Sequence, residues 1–351
     1  MTYLAYPFHV HPDRLKSAGH SNAAQAVDIA RALNRLGYVV DIADWLDSTF
    51  VPTEHYDVFF GMHYNFGRLL PYMGESTVKI YYGTGSYWAH EMAAEQDRIE
   101  DLKRRRGTEI KLPIRLGEND WVQVADAVIV VGNEFTASTY RPHNPMVFPI
   151  DNYALLTTPP DLEHKDFLTA RRNFLAFPST GLLHKGLDLI LEVFAALPDV
   201  DLWVCGPLES AAEQGFIRIY RRELFHTTNI HPIGWTDIYS RRFGQLTDKC
   251  AFVVLPSCAE GMPGGVLNCM GRGMIPLVSR EAAIDTDGCG ITLPESSVNT
   301  IRQVVCEMAD TSPEVCRHMA QEAYSQASTR YSPDSFRRNI ERILARILEG
   351  K

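Results

Sequence analysis
The chain has 351 residues, 45% of them hydrophobic, a length that suggests two domains and a composition that can fill ordinary cores. A formal net charge of −9 argues against nucleic-acid binding as the main activity, and no apolar run reaches membrane-spanning length. The seven cysteines are scattered, odd in number and without a C-x-x-C pair; they read as small buried apolar residues of a reducing compartment. No signal-peptide pattern opens the chain, so the expected location is the cytoplasm.

Residues 1–7 can form a first strand. The long loop after it holds His9, His11, Gly19 and His20. His9-Val10-His11 resembles the metal site of amidohydrolases, but that barrel needs further ligands at later strand ends, and no matching motif follows. Ser21 or Asn22 can cap a helix that keeps Ala23, Ala26, Val27, Ala30 and Leu33 on one face. Gly37 ends it, and 38–42 reads as the next strand.

Further strands are expected at 56–61 and 78–82. Each is followed by polar, aromatic or glycine residues: His63, Tyr64 and Asn65, then Gly83, Thr84, Gly85, Tyr87 and Trp88. In a parallel sheet these ends open on one crevice. Residues 88–106 read as a charged, outward-facing helix, with 103–106 a solvated basic end. Strands at 127–131 and 146–150 complete this half, and 151–172, with Pro159-Pro160 and many charges, reads as a linker.

The second half restarts with a strand at 173–178, then Ser179-Thr180-Gly181-Leu182-Leu183-His184-Lys185-Gly186. The following helix carries Leu187, Ile190, Leu191 and Phe194 on one face and stops before Pro198. Strands at 200–205, ending at Gly206, and 229–234 alternate with helices at 214–227 and 236–250, a second doubly wound unit. Next come a strand at 251–256, a turn with three glycines at 257–265, a short helix and a strand at 275–279. Glu260 stands in the mouth of this βαβ unit, where ligands bind beyond the strand's carboxyl end. Gly261, Gly264 and Gly265 let backbone N–H groups approach an anion there. Finally, Ser332 and Pro333 open a helix whose apolar face is Phe336, Ile340, Ile343, Leu344, Ile347 and Leu348.

Alone, Glu260 reads as a solvated loop acid and Lys185 as a surface lysine. Their context says more. Leu255-Pro256-Ser257, two residues, Glu260-Gly261, then Asn268 and Gly273-Met274-Ile275-Pro276 resembles the donor-binding motif of retaining GT-B glycosyltransferases, the family of bacterial glycogen synthases and mannosyltransferases. His184-Lys185-Gly186-Leu187-Asp188 resembles that family's Lys-Gly motif, and residues 19–42 its first loop, helix and second strand. Ile233-Gly234-Trp235 resembles its strand end near the nucleotide base. Two positions depart from the pattern. The second Glu of the family's motif is Asn268, and the Arg five residues before the Lys is Thr180. One loses a negative and the other a positive charge, so the site's net charge is preserved.

The resemblance implies an α/β GT-B fold, two Rossmann-like doubly wound domains facing a central cleft, with a C-terminal helix crossing back to the first domain. It implies an acceptor-side domain at 1–160, a nucleotide-sugar domain at 161–330 and the returning helix at 331–351. The donor, such as a UDP- or GDP-sugar, would be held by Gly19, Thr180, Gly181, Lys185, Gly206, Gly234, Trp235, Glu260, Gly261, Met262, Pro263, Gly264, Gly265 and Asn268. Lys185 would stabilise the diphosphate, Glu260 would bond hydroxyls of the transferred sugar, and Asn268 would face the ribose. A hydroxyl acceptor (a glycan, lipid-linked glycan or small molecule) would lie near His20, His63, Tyr64, Thr84, Tyr87 and Trp88. Transfer would retain anomeric configuration, with the leaving phosphate as base and no metal or cofactor. An inactive GT-B binding or regulatory protein, or a sugar-nucleotide epimerase on the same fold, are the alternatives. A nicotinamide dehydrogenase is disfavoured, because no G-x-G-x-x-G follows the first strand.

Overall fold
The computed structural model describes residues 1–10, 21–108, 110 and 120–349. They form two six-stranded parallel sheets with flanking helices. The first is built from β1 (Thr2–Tyr3), β2 (Ala43–Asp44), β3 (Val58–Gly61), β4 (Val78–Gly83), β5 (Ala127–Val131) and β6 (Val147–Ile150), in the order β2-β1-β3-β4-β5-β6. The second contains β7 (Asn173–Ala176), β8 (Asp201–Val204), β9 (Ile230–Pro232), β10 (Phe252–Leu255), β11 (Ile275–Ser279) and β12 (Ile291–Leu293). Its order, β12-β11-β10-β7-β8-β9, reverses direction between β7 and β10, which pair through Phe174 with Phe252 and Leu175 with Val253. Ligands bind outside the carboxyl ends of strands at such a reversal.

Helices that bear on the site are α1 (Ser21–Arg35), α2 (His63–Leu69), α3 (Trp88–Arg106), α4 (Leu187–Ala195), α5 (Gln214–Ile219), α6 (Arg221–His226), α7 (Arg241–Lys249), α8 (Gly264–Met270) and α9 (Pro333–Glu349). The N-terminus of α9 is capped by Ser332, whose Oγ accepts from the Ser335 N–H at 3.2 Å. Its apolar stripe crosses back onto the first domain, with Phe336, Ile340 and Leu344 buried and Phe336 edge-on to Tyr153. Burying each such side chain contributes roughly 1.5–3 kcal/mol. Arg337 reinforces the contact by pairing with Asp28 of α1 at 3.0 Å. One apolar cluster runs from Phe60, Ile80 and Ile129 of the first sheet through Tyr153 and Met262 to Val253 and Val278 of the second. No described helix is long and apolar enough to cross a membrane.

Several local expectations are corrected. The strand expected at 38–42 lies at Ala43–Asp44. Residues 38–42 have no strand partner because β1 offers only Thr2 and Tyr3, which pair with Ala43 and Asp44. The helix expected at 214–227 is two helices, interrupted at Tyr220, whose backbone leaves the helical region and whose ring is fully buried. The stretch expected as a helix from 236 begins its helix only at Arg241, where Ser240 caps it by accepting from the Phe243 N–H.

The largest correction concerns α3, which does not face outward. Glu95, Arg98 and Leu102 are buried against the second domain. Arg98 donates to Asp188 of α4 at 3.4 Å and to the Pro256 carbonyl at 3.1 Å. Arg105 pairs with Asp188 and Glu192, and Arg106 with Glu192 at 2.9 Å and Glu223 at 2.7 Å. Half of the basic run is therefore an interdomain clamp, while Arg104 remains exposed beside Asp101.

Candidate active site in the interdomain cleft
The loops after β7 and β10 flank the reversal of the second sheet and touch each other. At Gly186, φ is +74° and a Cβ would lie 2.3 Å from the Pro256 carbonyl oxygen, so only glycine permits this approach. Lys185, in the turn just before α4, is thereby brought to Glu260. Its Nζ donates to Glu260 Oε1, and Ser257 Oγ donates to the same oxygen at 2.8 Å. Both side chains are nearly buried, with 13% and 10% of their surface exposed. Burial alone would raise the Glu260 carboxyl, but Lys185 and His184 hold it below its ordinary range.

His184 joins the two loops to the first domain. Its Nδ1 lies 2.8 Å from Glu95 Oε1 on α3, and its Nε2 meets the Ala259 carbonyl. Burial disfavours the charged ring, yet bonds to Cys258 and Glu95 and the nearby Glu260 outweigh it and push the pKa up to about 10. Glu91, Glu95 and His184 each bring a possible ligand atom within 4.8 Å of the others. With Nδ1 against Glu95 and Nε2 against the Ala259 carbonyl, both ring nitrogens are already engaged by protein partners.

The cleft has two lobes of about 380 Å³ each. Thr84, Ser179, Lys185, Glu260 and Gly261 line both, so the Lys185–Glu260 pair stands at their junction. A Cβ on Gly261 would lie 2.3 Å from the Thr84 carbonyl oxygen, which is how closely the second domain's turn approaches the first domain. Ser86 Oγ donates to the Glu260 carbonyl at 3.2 Å across the same contact.

Of the expected donor residues, Lys185, Gly206, Trp235, Glu260, Gly261, Met262, Pro263, Gly264, Gly265 and Asn268 line the first lobe. Gly234 turns the chain at φ +80° into Trp235, which is 73% exposed at the rim. Thr180 and Gly181 line the second lobe instead. The N–H of Gly181 donates to Glu213 Oε1 at 2.6 Å, and that of Leu182 to Oε2 at 3.2 Å, so an internal carboxylate occupies both. Asn268 is buried, and its Oδ1 accepts the Leu155 N–H at 2.7 Å. Gly19 and His20 lie outside the described residues.

Of the expected acceptor residues, His63, Thr84 and Trp88 line the second lobe. Tyr87 does not. Its ring is buried and stacks on His143 at 3.9 Å, because the apolar body of the ring gains more in the core beside Tyr140 than at the cleft. Tyr64 lines neither lobe and is half exposed on α2.

No family model and no curated protein sequence matches the chain. Solved structures do resemble it. Sucrose-phosphate synthase from Thermosynechococcus elongatus aligns with a TM-score of 0.64 at 12% identity, over 94% of each chain. HepE from Anabaena, solved with UDP-glucose, aligns with a TM-score of 0.60 at 14% identity, over 92% of this chain and 95% of that one. TarM, known from S. aureus, aligns with a TM-score of 0.57 at 12% identity, over 83% of this chain, which spans about half of TarM (54%).

The fold is GT-B.

Within this GT-B cleft several lining residues were not singled out by sequence. Ser21 and Asn22, read only as caps, and Thr236 and Asp237 line the first lobe. Asn152, in the segment read as a linker, connects the domains. It accepts from Gln25 Nε2 at 2.7 Å and donates through Nδ2 to the Met262 carbonyl at 2.9 Å. Met262 itself holds φ +53°, a conformation that costs a non-glycine residue of order 1 kcal/mol or more and that gathers at functional sites. The only sequence signal for His184 is its place beside Lys185 in the His184-Lys185-Gly186 motif.

Proposed function
We propose that this chain is a retaining glycosyltransferase that moves a sugar from a nucleotide-sugar, such as a UDP- or GDP-sugar, to a hydroxyl acceptor. The observation that carries the proposal is the Lys185–Glu260 pair at the junction of two lobes, beyond the carboxyl ends of β7 and β10. The first lobe takes the nucleotide, with Trp235 at its rim beside the base. Lys185 meets the diphosphate, whose negative charge grows as the glycosidic bond breaks. Glu260, kept ionised, accepts hydrogen bonds from hydroxyls of the transferred sugar. The second lobe, with His63, Thr84 and Trp88, takes the acceptor. The leaving phosphate accepts the acceptor's proton, so neither a side-chain base nor a metal is required. HepE, a GT-B neighbour solved with UDP-glucose, supports the donor class. The domain limits near residues 160 and 330 and a cytoplasmic location belong to the same proposal.

A second reading, a GT-B protein that binds but does not transfer, is favoured by one feature. Thr180 stands where the motif that the sequence resembles has Arg, and Glu213 already fills the Gly181 and Leu182 N–H groups. A thermal-shift screen with UDP, GDP, ADP, TDP and CMP tests nucleotide binding, because a ligand of the folded state alone raises apparent stability. A shift with one of them, followed by hydrolysis of the matching nucleotide-sugar, is the expected result. Binding without hydrolysis or transfer would support the second reading, and no binding would exclude both.

A further inference from the structure
Lys185 has two claims on it. In the structure its ammonium is committed to Glu260, and it is the one cation among the described residues lining the first lobe. If that lobe takes a nucleoside diphosphate, as the proposed transferase function requires, Lys185 has to turn from Glu260 to the phosphates. Glu260 would then be a nearly buried carboxylate without its main partner. Such a group takes up a proton unless another cation holds it ionised. Once protonated, it would lose the charge-assisted bonds to sugar hydroxyls.

His184 supplies that cation. Nδ1 faces a carboxylate oxygen of Glu95 and Nε2 faces the Ala259 carbonyl, and both partners are hydrogen-bond acceptors. With Glu95 ionised, each ring nitrogen carries a hydrogen and the ring is an imidazolium. Nε2 lies 3.7 Å from Glu260 Oε1. The backbone at His184 is fixed, because its carbonyl accepts the Cys258 N–H at 2.9 Å. The titratable and charged groups around the ring are Glu91 and Glu95 from α3, Lys185 beside it, and Cys258 and Glu260 from the opposite loop. Arg98, also on α3, is committed to Asp188 and the Pro256 carbonyl.

We propose that His184 is a positioning residue that holds Glu260 ionised, as its counter-cation, when Lys185 leaves it for the diphosphate. Before the exchange, Lys185 and His184 face Glu260 and Glu95, with Glu91 also close to the ring. Afterwards His184 bridges the two carboxylates and Lys185 faces the phosphates. No proton needs to move. Because Glu95 belongs to the first domain and Glu260 to the second, the same imidazolium ties the acceptor side to the donor loop.

Calorimetric titration of UDP and GDP into the parent, His184→Gln, Glu260→Gln and the double variant tests this. Glutamine keeps a donor but not the charge. His184→Gln should weaken nucleoside diphosphate binding about tenfold or more in the parental background, and by less than about twofold beside Glu260→Gln, where no charge needs a partner. Equal losses in both backgrounds would make His184 a structural residue and overturn the proposal. A parent that binds neither UDP nor GDP would instead remove the transferase function on which the proposal stands. Nitrogen NMR of the parent's histidine rings needs neither variant nor nucleotide. Two protonated ring nitrogens on His184 at about pH 8 are expected. A neutral ring, or stoichiometric zinc coordinated by Nδ1 in the purified protein, would overturn the role of His184 and leave the nucleotide-sugar function standing.

Discussion
Lys185 and Glu260, 75 positions apart in the chain, form a nearly buried ion pair where the two lobes of the cleft meet. The pair exists because β7 and β10 are neighbours in the sheet and their loops leave it side by side. Under the proposed function it links stability to activity, since the lysine assigned to the diphosphate is also the partner of a buried carboxylate.

Removing Lys185 should therefore harm both. Lys185→Ala is expected to cost about 3 kcal/mol of stability, the low end for breaking a buried pair, because His184 still faces Glu260. Lys185→Ala with Glu260→Gln should recover most of that loss, as no charge is left unpaired. Urea denaturation of the single and double variants measures the difference. Transfer should fall by roughly a hundredfold or more in both. Equal stability of the single and double variants would mean that the Glu260 charge left without Lys185 carries no cost.

Gly261 is held by close approach to the first domain rather than by its own φ. Gly261→Ala would press a Cβ onto the Thr84 carbonyl carbon and oxygen and the Gly85 Cα, all within 2.8 Å of it. These are backbone atoms and cannot swing aside. The variant should lose about 1–3 kcal/mol as the two domains are forced apart. Thermal unfolding gives the stability, and small-angle scattering the separation. An alanine variant unchanged in both would show that the contact is loose.

The basic end of α3 should divide sharply. Asp188 is fully buried between Arg98 and Arg105, so Asp188→Leu removes the carboxylate they share and leaves Arg98 only the Pro256 carbonyl and Arg105 its bonds to Asp101 and Glu192. It should cost about 3–5 kcal/mol. Arg104→Ala, in the same run but 76% exposed, should change stability by less than about 0.5 kcal/mol. Denaturation midpoints of the two variants decide this. Similar small effects would return the whole run to solvent.

The proton on His184 gives stability a pH dependence of known sign. The folded state holds it with a pKa of about 10, above the ordinary value of 6.5. The contribution is complete below about pH 6.5 and is lost as the pH rises to 10, because over that window the unfolded chain has released a proton that the folded chain keeps. Parent-minus-His184→Gln stability should fall across the window, by on the order of a few kcal/mol. Lys165, a buried ammonium lowered to about 8 mainly by burial, has the opposite slope above pH 8, but it is common to both proteins and cancels. A difference that is flat with pH would mean that the ring is neutral in the fold.

Much of this protein is written locally. The apolar runs of β3, β4, β5, β10 and β11, the stripe on α9 and the Ser332 cap each depend on neighbours a few residues away, and their positions followed from sequence. Lys185 and Glu260 were legible for the same reason, each sitting in a short loop at the end of a predicted strand. What periodicity cannot say is what an element meets. The acids that draw α3 inward, Asp188, Glu192 and Glu223, lie more than 80 positions away, so its charges read as solvated. Tyr87 and Trp88 are adjacent aromatics, and only the packed core decides that Tyr87 turns in while Trp88 lines the cleft. Asn268 was visible as a departure from a motif, but its oxygen's bond to the Leu155 N–H arises from a segment read as a linker. The charge on His184 is the extreme case. It is set by Glu95, Ala259 and Glu260 converging from two domains, and electrostatic energy depends on distances that exist only after the chain has folded.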